Sequence, residues 1–169
     1  KNVIKFYTQG YLLDGDTIIE LIPDGYMHGI RKVEPDDRRD EFNNLINGAT
    51  NYLLNQVKES GRYEYGRFPH FDRKIGFYNI LRHASSTYSL LEGLEYLDDL
   101  EGIKIAKKTL DYMLENYLYI DPEKPDEAYI FDDTNNINEI KLGQNGVALI
   151  ALTKYMSITN SDEYLEIAA

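Results

Sequence analysis

The chain has 169 residues, of which 43% are hydrophobic and 28% are charged, and its formal net charge is −11 at pH 7. This length suffices for one domain with a sizeable core, and the composition is that of an ordinary globular protein. The negative charge disfavours binding to nucleic acid or docking on an anionic membrane, because both depend on clustered Lys and Arg. The absence of cysteine excludes disulfides, thiolate zinc sites and cysteine nucleophiles from this segment. No apolar run approaches the roughly 18 residues that span a bilayer, so we expect a soluble segment.

Residues 1–34 are predicted to be a β-rich N-terminal segment. Three stretches are rich in β-branched and aromatic residues, which favour strands: Val3–Tyr7, Gly10–Leu13 and Thr17–Ile22. Asp14-Gly15 is a two-residue hairpin signal between the last two of these stretches. The turn residues Pro23-Asp24-Gly25 end the segment.

After Pro35 the apolar positions recur at intervals of three and four residues, which is typical of helices. The predicted helices are Asp36–Ser60, Asn79–Asp98, Gly102–Leu118 and Gln144–Thr159, with a fifth beginning near Ser161. Asn160 is predicted to be the N-cap of the fifth helix, because Glu163 stands at the capping-box spacing. The apolar stripe of that helix stops where the sequence stops. We therefore interpret residues 35–169 as a helical-hairpin domain whose C-terminal part is missing from this sequence.

An internal repeat relates the second predicted helix to the fourth. Four residues of one align with four of the other at an offset of 58 residues: Ser89, Leu91, Leu94 and Leu97 with Val147, Leu149, Leu152 and Tyr155. The period of about sixty residues exceeds the roughly 33–47 residues of common helical solenoid repeats. The excess lies in two long connections, Gly61–Tyr78 and Tyr119–Gly143, which alternate with short ones. In an antiparallel helical array, alternation places both long loops on the same side.

The predicted helices also differ in how they are buried. Val147–Leu152 is apolar all round, which predicts that the fourth helix is covered on every side. The third helix carries charged residues opposite its apolar stripe, as an outer helix should. Inner helices two and four with outer helices one, three and five predict a mainly α fold, an incomplete α/α toroid of helical hairpins. A single-layer solenoid is the alternative architecture.

Two segments carry a resemblance to a known family. Arg82–Tyr88, with the sequence RHASSTY, opens one inner helix, and Lys141–Leu149, with the sequence KLGQNGVAL, opens the other and is followed by Asn160–Leu165. Together they resemble bacterial α/α-toroid proteins of the six-hairpin glycosidase type. That superfamily includes glycoside hydrolases, polysaccharide lyases and sugar epimerases. The resemblance covers about Asp36–Ala169 and concerns the fold rather than a catalytic signature.

The first long loop is predicted to bind substrate. Aromatic faces beside acids and arginines bind sugars, and this loop contains Tyr63, Tyr65 and Arg73. The alternative is that its aromatic side chains cover the helical core.

A carboxylate pair would supply acid/base chemistry on a glycosidic bond. Asp72 in the first loop is one candidate, and Asp132 or Asp133 in the second is the other. Residues 129–142 are predicted to form a small hairpin over the toroid mouth, so these neighbouring aspartates would point to opposite faces. The alternative is that they are ordinary surface acids, since the chain has 29 acidic residues.

The starts of the two inner helices hold the remaining candidates. A cation in the first turn opposes the helix dipole, so Arg82 is expected to have an acidic neighbour such as Asp72 or an anionic ligand. His83 is a candidate general base or substrate hydrogen-bonder, and its alternative role is a buried histidine that ties the loop to the helix. Gln144 and Asn145 stand at the equivalent place in the fourth helix. They would either cap that helix or bind substrate hydroxyl groups.

These observations predict a carbohydrate-active protein, a hydrolase, lyase or epimerase acting on an oligo- or polysaccharide. The alternative is a non-catalytic helical-repeat module that binds a peptide or glycan. We expect no cofactor and no metal site, because the acidic second loop lacks the EF-hand spacing and His28, His70 and His83 show no metal-ligand spacing. The expected partners are a saccharide and the missing C-terminal part of the chain itself.

Overall fold

A computed structural model describes residues 2–134 and 136–169 and shows a mainly α-helical protein. The chain divides into two compact units, one ending at Leu45 and the other beginning at Ile46. This division lies inside the first helix, whereas the sequence predicts a division after residue 34. Within the described ranges, no helix combines the length and the apolar character that a membrane crossing needs.

The first unit contains a two-stranded antiparallel hairpin of β1 (Tyr11–Asp14) and β2 (Thr17–Glu20). Its turn is Gly15-Asp16, one residue later than predicted, and Gly15 has a φ of 58°, which glycine adopts without a Cβ penalty. The strand predicted at Val3–Tyr7 is wrong, because these residues form no strand. A strand needs a hydrogen-bonding neighbour, which residue preference alone does not supply.

Five α-helices lie in the described part of the chain: α1 (Arg38–Gln56), α2 (Ile80–Leu97), α3 (Leu100–Tyr117), α4 (Leu142–Thr159) and α5 (Leu165–Ala168). The first four confirm the predicted helices to within a few residues at each end. The capping prediction for Asn160 is wrong, because this residue ends α4 in the left-handed conformation, with a φ of 50°. Asp98 ends α2 in the same way, with a φ of 54°.

The two long connections of the second unit each contain small strands. The first holds a short hairpin of β3 (Arg67–Phe68) and β4 (Arg73–Lys74). The second holds a three-stranded antiparallel sheet in the order β5 (Leu118–Asp121), β6 (Lys124–Asp132) and β7 (Glu139–Ile140). The pairing of Phe131 with Ile140 confirms the hairpin predicted within residues 129–142.

The core of the second unit is centred on α2, which packs against both α3 and α4. Most of its buried apolar side chains come from these three helices, among them Leu90, Leu91, Leu94, Ile103, Leu110, Ala148 and Leu152. Side-chain caps start α2 and α3: Asn79 accepts from the backbone N–H of Arg82, and Asp99 accepts from that of Gly102. These caps satisfy N–H groups that have no partner within the helix, so they fix where each helix begins.

The prediction that α4 is covered on every side is wrong for this chain. Ala148, Ala151 and Leu152 are buried, but Leu149 and Ile150 are 42% and 50% exposed. Part of the apolar run Val147–Leu152 is therefore exposed, because the other described residues do not cover it.

Candidate functional site

The strongest candidate site is a cleft in the second unit, which we call the tyrosine cleft. It lies between the last turns of α1, the first long connection and the first turns of α2. Its volume of about 150 Å³ is several times the roughly 30 Å³ that one water molecule takes up in the liquid. The space therefore suits a ring-sized polar group. Its aromatic and charged lining residues are Tyr52, Tyr63, Glu64, Tyr65, Tyr78, Arg82 and His83.

Backbone hydrogen bonds hold the first long connection beside the end of α1. The N–H of Glu64 donates to the carbonyl of Gln56 at 2.7 Å, and Val57 forms an isolated bridge with Tyr63. Between them the chain turns at Gly61, whose φ is 84° and where a Cβ atom would overlap the backbone carbonyl of Lys108. Only glycine fits this turn, which places Tyr63 and Tyr65 against the cleft.

His83 lies at the base of the tyrosine cleft and is almost fully buried. Its Nε2 is 2.8 Å from the carbonyl of Thr109, which can only accept, so Nε2 carries the proton. Nδ1 then accepts from the Tyr78 hydroxyl at 2.7 Å, and that hydroxyl accepts from the backbone N–H of Tyr63 at 3.1 Å. Both ring nitrogens therefore form hydrogen bonds within the protein. This agrees with the alternative role of His83, a buried histidine that ties the loop to the helix.

Burial sets the charge state of this network. It lowers the pKa of His83 to about 4, although the hydrogen bond with Thr109 raises it in part. Burial also raises the pKa of Tyr63 and of Tyr78 above the ordinary tyrosine value. The imidazole and both phenols are therefore neutral at pH 7.

Arg82 and Tyr65 form the wall of the cleft nearer to solvent. The guanidinium donates from Nη1 to the Tyr65 hydroxyl at 2.9 Å and stands 5.8 Å from the centre of the same ring. Asp72, the acidic neighbour suggested by the sequence, pairs with Arg67 instead. Among the described residues, no carboxylate forms an ion pair with Arg82.

Glu64 is a cleft residue that sequence reasoning missed. Its carboxylate lies 3.0 Å from Lys74 Nζ and 3.1 Å from Lys58 Nζ. Hydrogen bonds from these two lysines lower the pKa of Glu64, so it is ionised at neutral pH. Its partners are six and ten residues away along the chain, and no local spacing rule connects them.

Asp72 and Arg73 lie outside the cleft, on the exposed hairpin of β3 and β4. The Asp72 side chain is 87% exposed, and its backbone is left-handed with a φ of 46°. One carboxylate oxygen is 2.8 Å from Arg67 Nη2. Arg73 pairs across the hairpin with Phe68 in the strand register and is exposed.

Asp132 is a buried carboxylate at the end of β6. Its oxygens accept from Thr134 Oγ1 at 2.6 Å, Asn79 Nδ2 at 3.1 Å and Lys141 Nζ at 3.2 Å. Burial raises the pKa of Asp132, but the hydrogen bonds from Thr134 and Lys141 outweigh it and leave the pKa below the ordinary value. Asp133, the first residue after β6, is exposed, so the two neighbouring aspartates lie in different environments.

Gln144 and Asn145 join α4 to β6. The Gln144 amide donates to the carbonyls of Ile130 and Glu139 at 2.6 and 2.9 Å. Asn145 accepts from the N–H of Ile130 at 2.7 Å and donates to its carbonyl at 3.1 Å. Both amides therefore bond mainly to the protein's own backbone.

The structure brings together four of the predicted site residues in the tyrosine cleft: Tyr63, Tyr65, Arg82 and His83. It separates the predicted carboxylates, since Asp72 stands on an exposed hairpin and Asp132 lies in a buried network. Tyr78, which sequence reasoning also missed, precedes the N-cap of α2. A residue immediately before an N-cap often packs against the first turns of its own helix. This position is the one local feature of the sequence that points to Tyr78.

Within residues 2–134 and 136–169, no group of three or more His, Cys, Asp or Glu side chains is placed to hold a metal ion. Comparison of the chain with protein-family models, with curated proteins and with solved structures gives no match.

Proposed function

We propose that this chain is part of a carbohydrate-active protein and that the tyrosine cleft binds a sugar unit of an oligo- or polysaccharide. The observation that carries the proposal is the convergence of Tyr63, Tyr65, Arg82 and His83 on one cleft. Tyrosine rings offer faces for the C–H groups of a sugar, and the Arg82 guanidinium and Glu64 carboxylate offer groups that bind its hydroxyls.

The charges of the cleft support a polar ligand. Arg82 opposes the dipole of α2 and has no carboxylate partner among the described residues. A ligand oxygen that accepts from this guanidinium would satisfy donors that otherwise face only Tyr65 and water. Glu64 is held ionised by two lysines, so it accepts hydrogen bonds from ligand hydroxyls at neutral pH.

The proposal extends to the architecture. In it, α2 and α4 are inner helices and α1, α3 and α5 are outer helices of an α/α toroid of the six-hairpin glycosidase type. The packing of α2 against both α3 and α4 supports this arrangement. A crystal structure of the protein in which α2 and α4 do not line a common interior would contradict it.

One observation favours the alternative of a non-catalytic module. Of the described residues that line the cleft, Glu64 is the single carboxylate, and glycosidic hydrolysis ordinarily needs two. His83 is committed to Tyr78 and Thr109 and is a poor general base with a pKa of about 4. Release of reducing ends or of unsaturated products from a bound polysaccharide would show that the protein is an enzyme. Binding without turnover would show that it is a non-catalytic binding module.

Isothermal titration calorimetry against a panel of oligosaccharides tests the site. Arg82→Ala is expected to weaken binding about ten-fold or more, because hydrogen bonds from a charged group contribute about 1.5–3 kcal/mol. Tyr65→Ala is expected to weaken it as well, through loss of the stacking face. The matched controls are Arg39→Ala and Tyr26→Ala, two exposed residues of the first unit.

Thermal unfolding of each variant would show that the fold is kept, and Arg82 is exposed, so its removal leaves the core unchanged. If no oligosaccharide binds, or if both cleft variants bind as the unaltered protein does, the proposal is wrong.

A further inference from the structure

The hairpin next to the tyrosine cleft combines basic residues with exposed aromatic ones. Residues Arg67–Lys74, which we call the basic hairpin, contain three cations and one carboxylate, a net charge of +2 with His70 neutral. The whole chain has a net charge of −11. At the tip, Phe68 and Phe71 are 48% and 72% exposed.

The cations of the basic hairpin are only partly neutralised by the protein. Arg67 pairs with Asp72, and Lys74 pairs with Glu64. Arg73 has no ion pair with any described residue. An exposed cation without an ion pair beside two exposed phenylalanines forms a patch that is both basic and apolar, which suits an anionic partner with apolar faces.

The basic hairpin is continuous with the tyrosine cleft. It begins two residues after Tyr65, and the ion pair of Lys74 with Glu64 joins its second strand to a lining residue of the cleft. The N–H of Ile75 donates to the carbonyl of Gly66 at 3.0 Å, which closes the base of the hairpin beside Tyr65. Arg82 on the cleft wall is a further cation without a carboxylate partner among the described residues.

We propose that the basic hairpin binds the continuation of the saccharide held in the tyrosine cleft, and that this saccharide is a polyanion, with acidic groups along its length. This inference rests on the proposed function. Arg73 faces the acidic groups, Phe68 and Phe71 cover the sugar rings, and Arg82 meets an acidic group of the unit in the cleft.

The remaining charge of the chain distinguishes a polymer from a flat anionic surface. In this proposal a single polysaccharide chain contacts only the basic hairpin and the cleft. A planar anionic bilayer would also face other parts of a chain whose net charge is −11, and the like charges would repel each other. The net charge therefore favours a polymer chain over a membrane.

Two pairs of ligands that share a sugar backbone and differ in charge test the inference: oligogalacturonate with its methyl ester, and dextran sulfate with dextran. We expect the anionic member of at least one pair to bind more tightly than its neutral counterpart, with an affinity that falls as salt is raised. Arg73→Gln is expected to weaken binding of the anionic form by up to about five-fold, as for a charge pair open to solvent, and to leave the neutral form unaffected. Phe71→Ala is expected to weaken binding without changing the dependence on salt.

Arg39→Gln removes an exposed cation from the first unit and is the control, which should bind as the unaltered protein does. Equal binding of charged and neutral ligands, with loss in Arg82→Ala and Tyr65→Ala, would overturn the polyanion inference and leave the proposed function standing. Absence of binding to all four ligands and to every oligosaccharide of the panel would overturn both. Binding to anionic phosphatidylserine vesicles that is lost in Arg73→Gln would assign the hairpin to a membrane and overturn the inference.

Discussion

The two long connections of the second unit are alike in length but differ in charge and in what their polar groups contact. At the first, between α1 and α2, Arg73 and the α2 residue Arg82 have no carboxylate partner in the described part of the chain, and tyrosine rings surround an open cleft. At the second, between α3 and α4, Asp132 and the α4 residues Gln144 and Asn145 bond to the protein's own groups, although Gln144 Oε1 is buried without a hydrogen-bond partner among the described residues.

This difference separates binding from structural roles. A polar side chain whose hydrogen bonds are completed within the protein stabilises the fold and has little left to offer a ligand. A polar side chain at a cleft with unsatisfied donors is available for recognition. By this criterion the first connection is the candidate binding element and the second is a brace between the sheet, α2 and α4.

The largest expected effect comes from removing the buried carboxylate of the second connection. Asp132→Ala is expected to lower the free energy of unfolding by about 4 kcal/mol, because Thr134, Asn79 and Lys141 lose a buried anionic partner. Urea denaturation followed by circular dichroism measures this loss. Asp133→Ala changes the exposed neighbour, and its effect should stay within about 0.5 kcal/mol. Similar losses in the two variants would show that the second connection is not a brace.

The turn that opens the first connection is expected to tolerate no Cβ. Gly61→Ala should lower the free energy of unfolding by about 3 kcal/mol, because φ is positive there and the Lys108 carbonyl occupies the space. Gly48→Ala in α1 is the matched control, since open space surrounds it and alanine favours a helix. A Gly61→Ala protein as stable as its parent would contradict the close approach of this connection to α3.

Acid is expected to destabilise the base of the tyrosine cleft through His83. The folded pKa of about 4 lies below the value near 6.5 in the unfolded chain, so the unfolded state binds the proton first as pH falls. The stability that neutral His83 provides is present above pH 6.5 and is lost between pH 6.5 and 4, by about 2 to 3 kcal/mol. Chemical denaturation at a series of pH values measures it.

His83→Gln is the comparison protein for that measurement, because glutamine does not titrate. The difference in stability between the two proteins should shrink from pH 7 to pH 4. A constant difference over this range would mean that His83 is not held neutral by burial.

The smallest expected effect among the predicted site residues belongs to the exposed carboxylate of the first connection. Asp72→Asn removes an ion pair with Arg67 that is open to solvent, and such pairs contribute about 0–1 kcal/mol. Asparagine also tolerates the left-handed backbone at this position. We expect the thermal midpoint to remain nearly unchanged, and a large fall would indicate that the basic hairpin contributes to the core.

Local signals in the sequence predict the helices well. Apolar residues at intervals of three and four locate α1 to α4, and Asn79 and Asp99 mark where α2 and α3 begin. The same rules misassign Asn160, because a residue between two helices can end one or start the next, and asparagine serves both purposes.

The candidate site is less predictable, because its contacts join distant parts of the chain. Aromatic and charged composition points to Tyr63, Tyr65, Arg82 and His83, but it points equally to Asp72 and Asp132, which the fold places elsewhere. The pairing of Glu64 with Lys74 and the contact of His83 with Thr109 depend on how the connection folds back onto α2 and α3. No spacing rule in one sequence encodes such contacts.

The left-handed ends of α2 and α4 have a practical consequence for protein engineering. Asp98 and Asn160 both hold a positive φ that glycine adopts without strain. Asp98→Gly and Asn160→Gly are therefore expected to raise the thermal midpoint slightly, with the larger gain at Asp98, since asparagine already tolerates this conformation. A protein with both substitutions would have a higher free energy of unfolding. Strongly destabilising substitutions introduced into it would then leave enough folded protein for their effects to be measured.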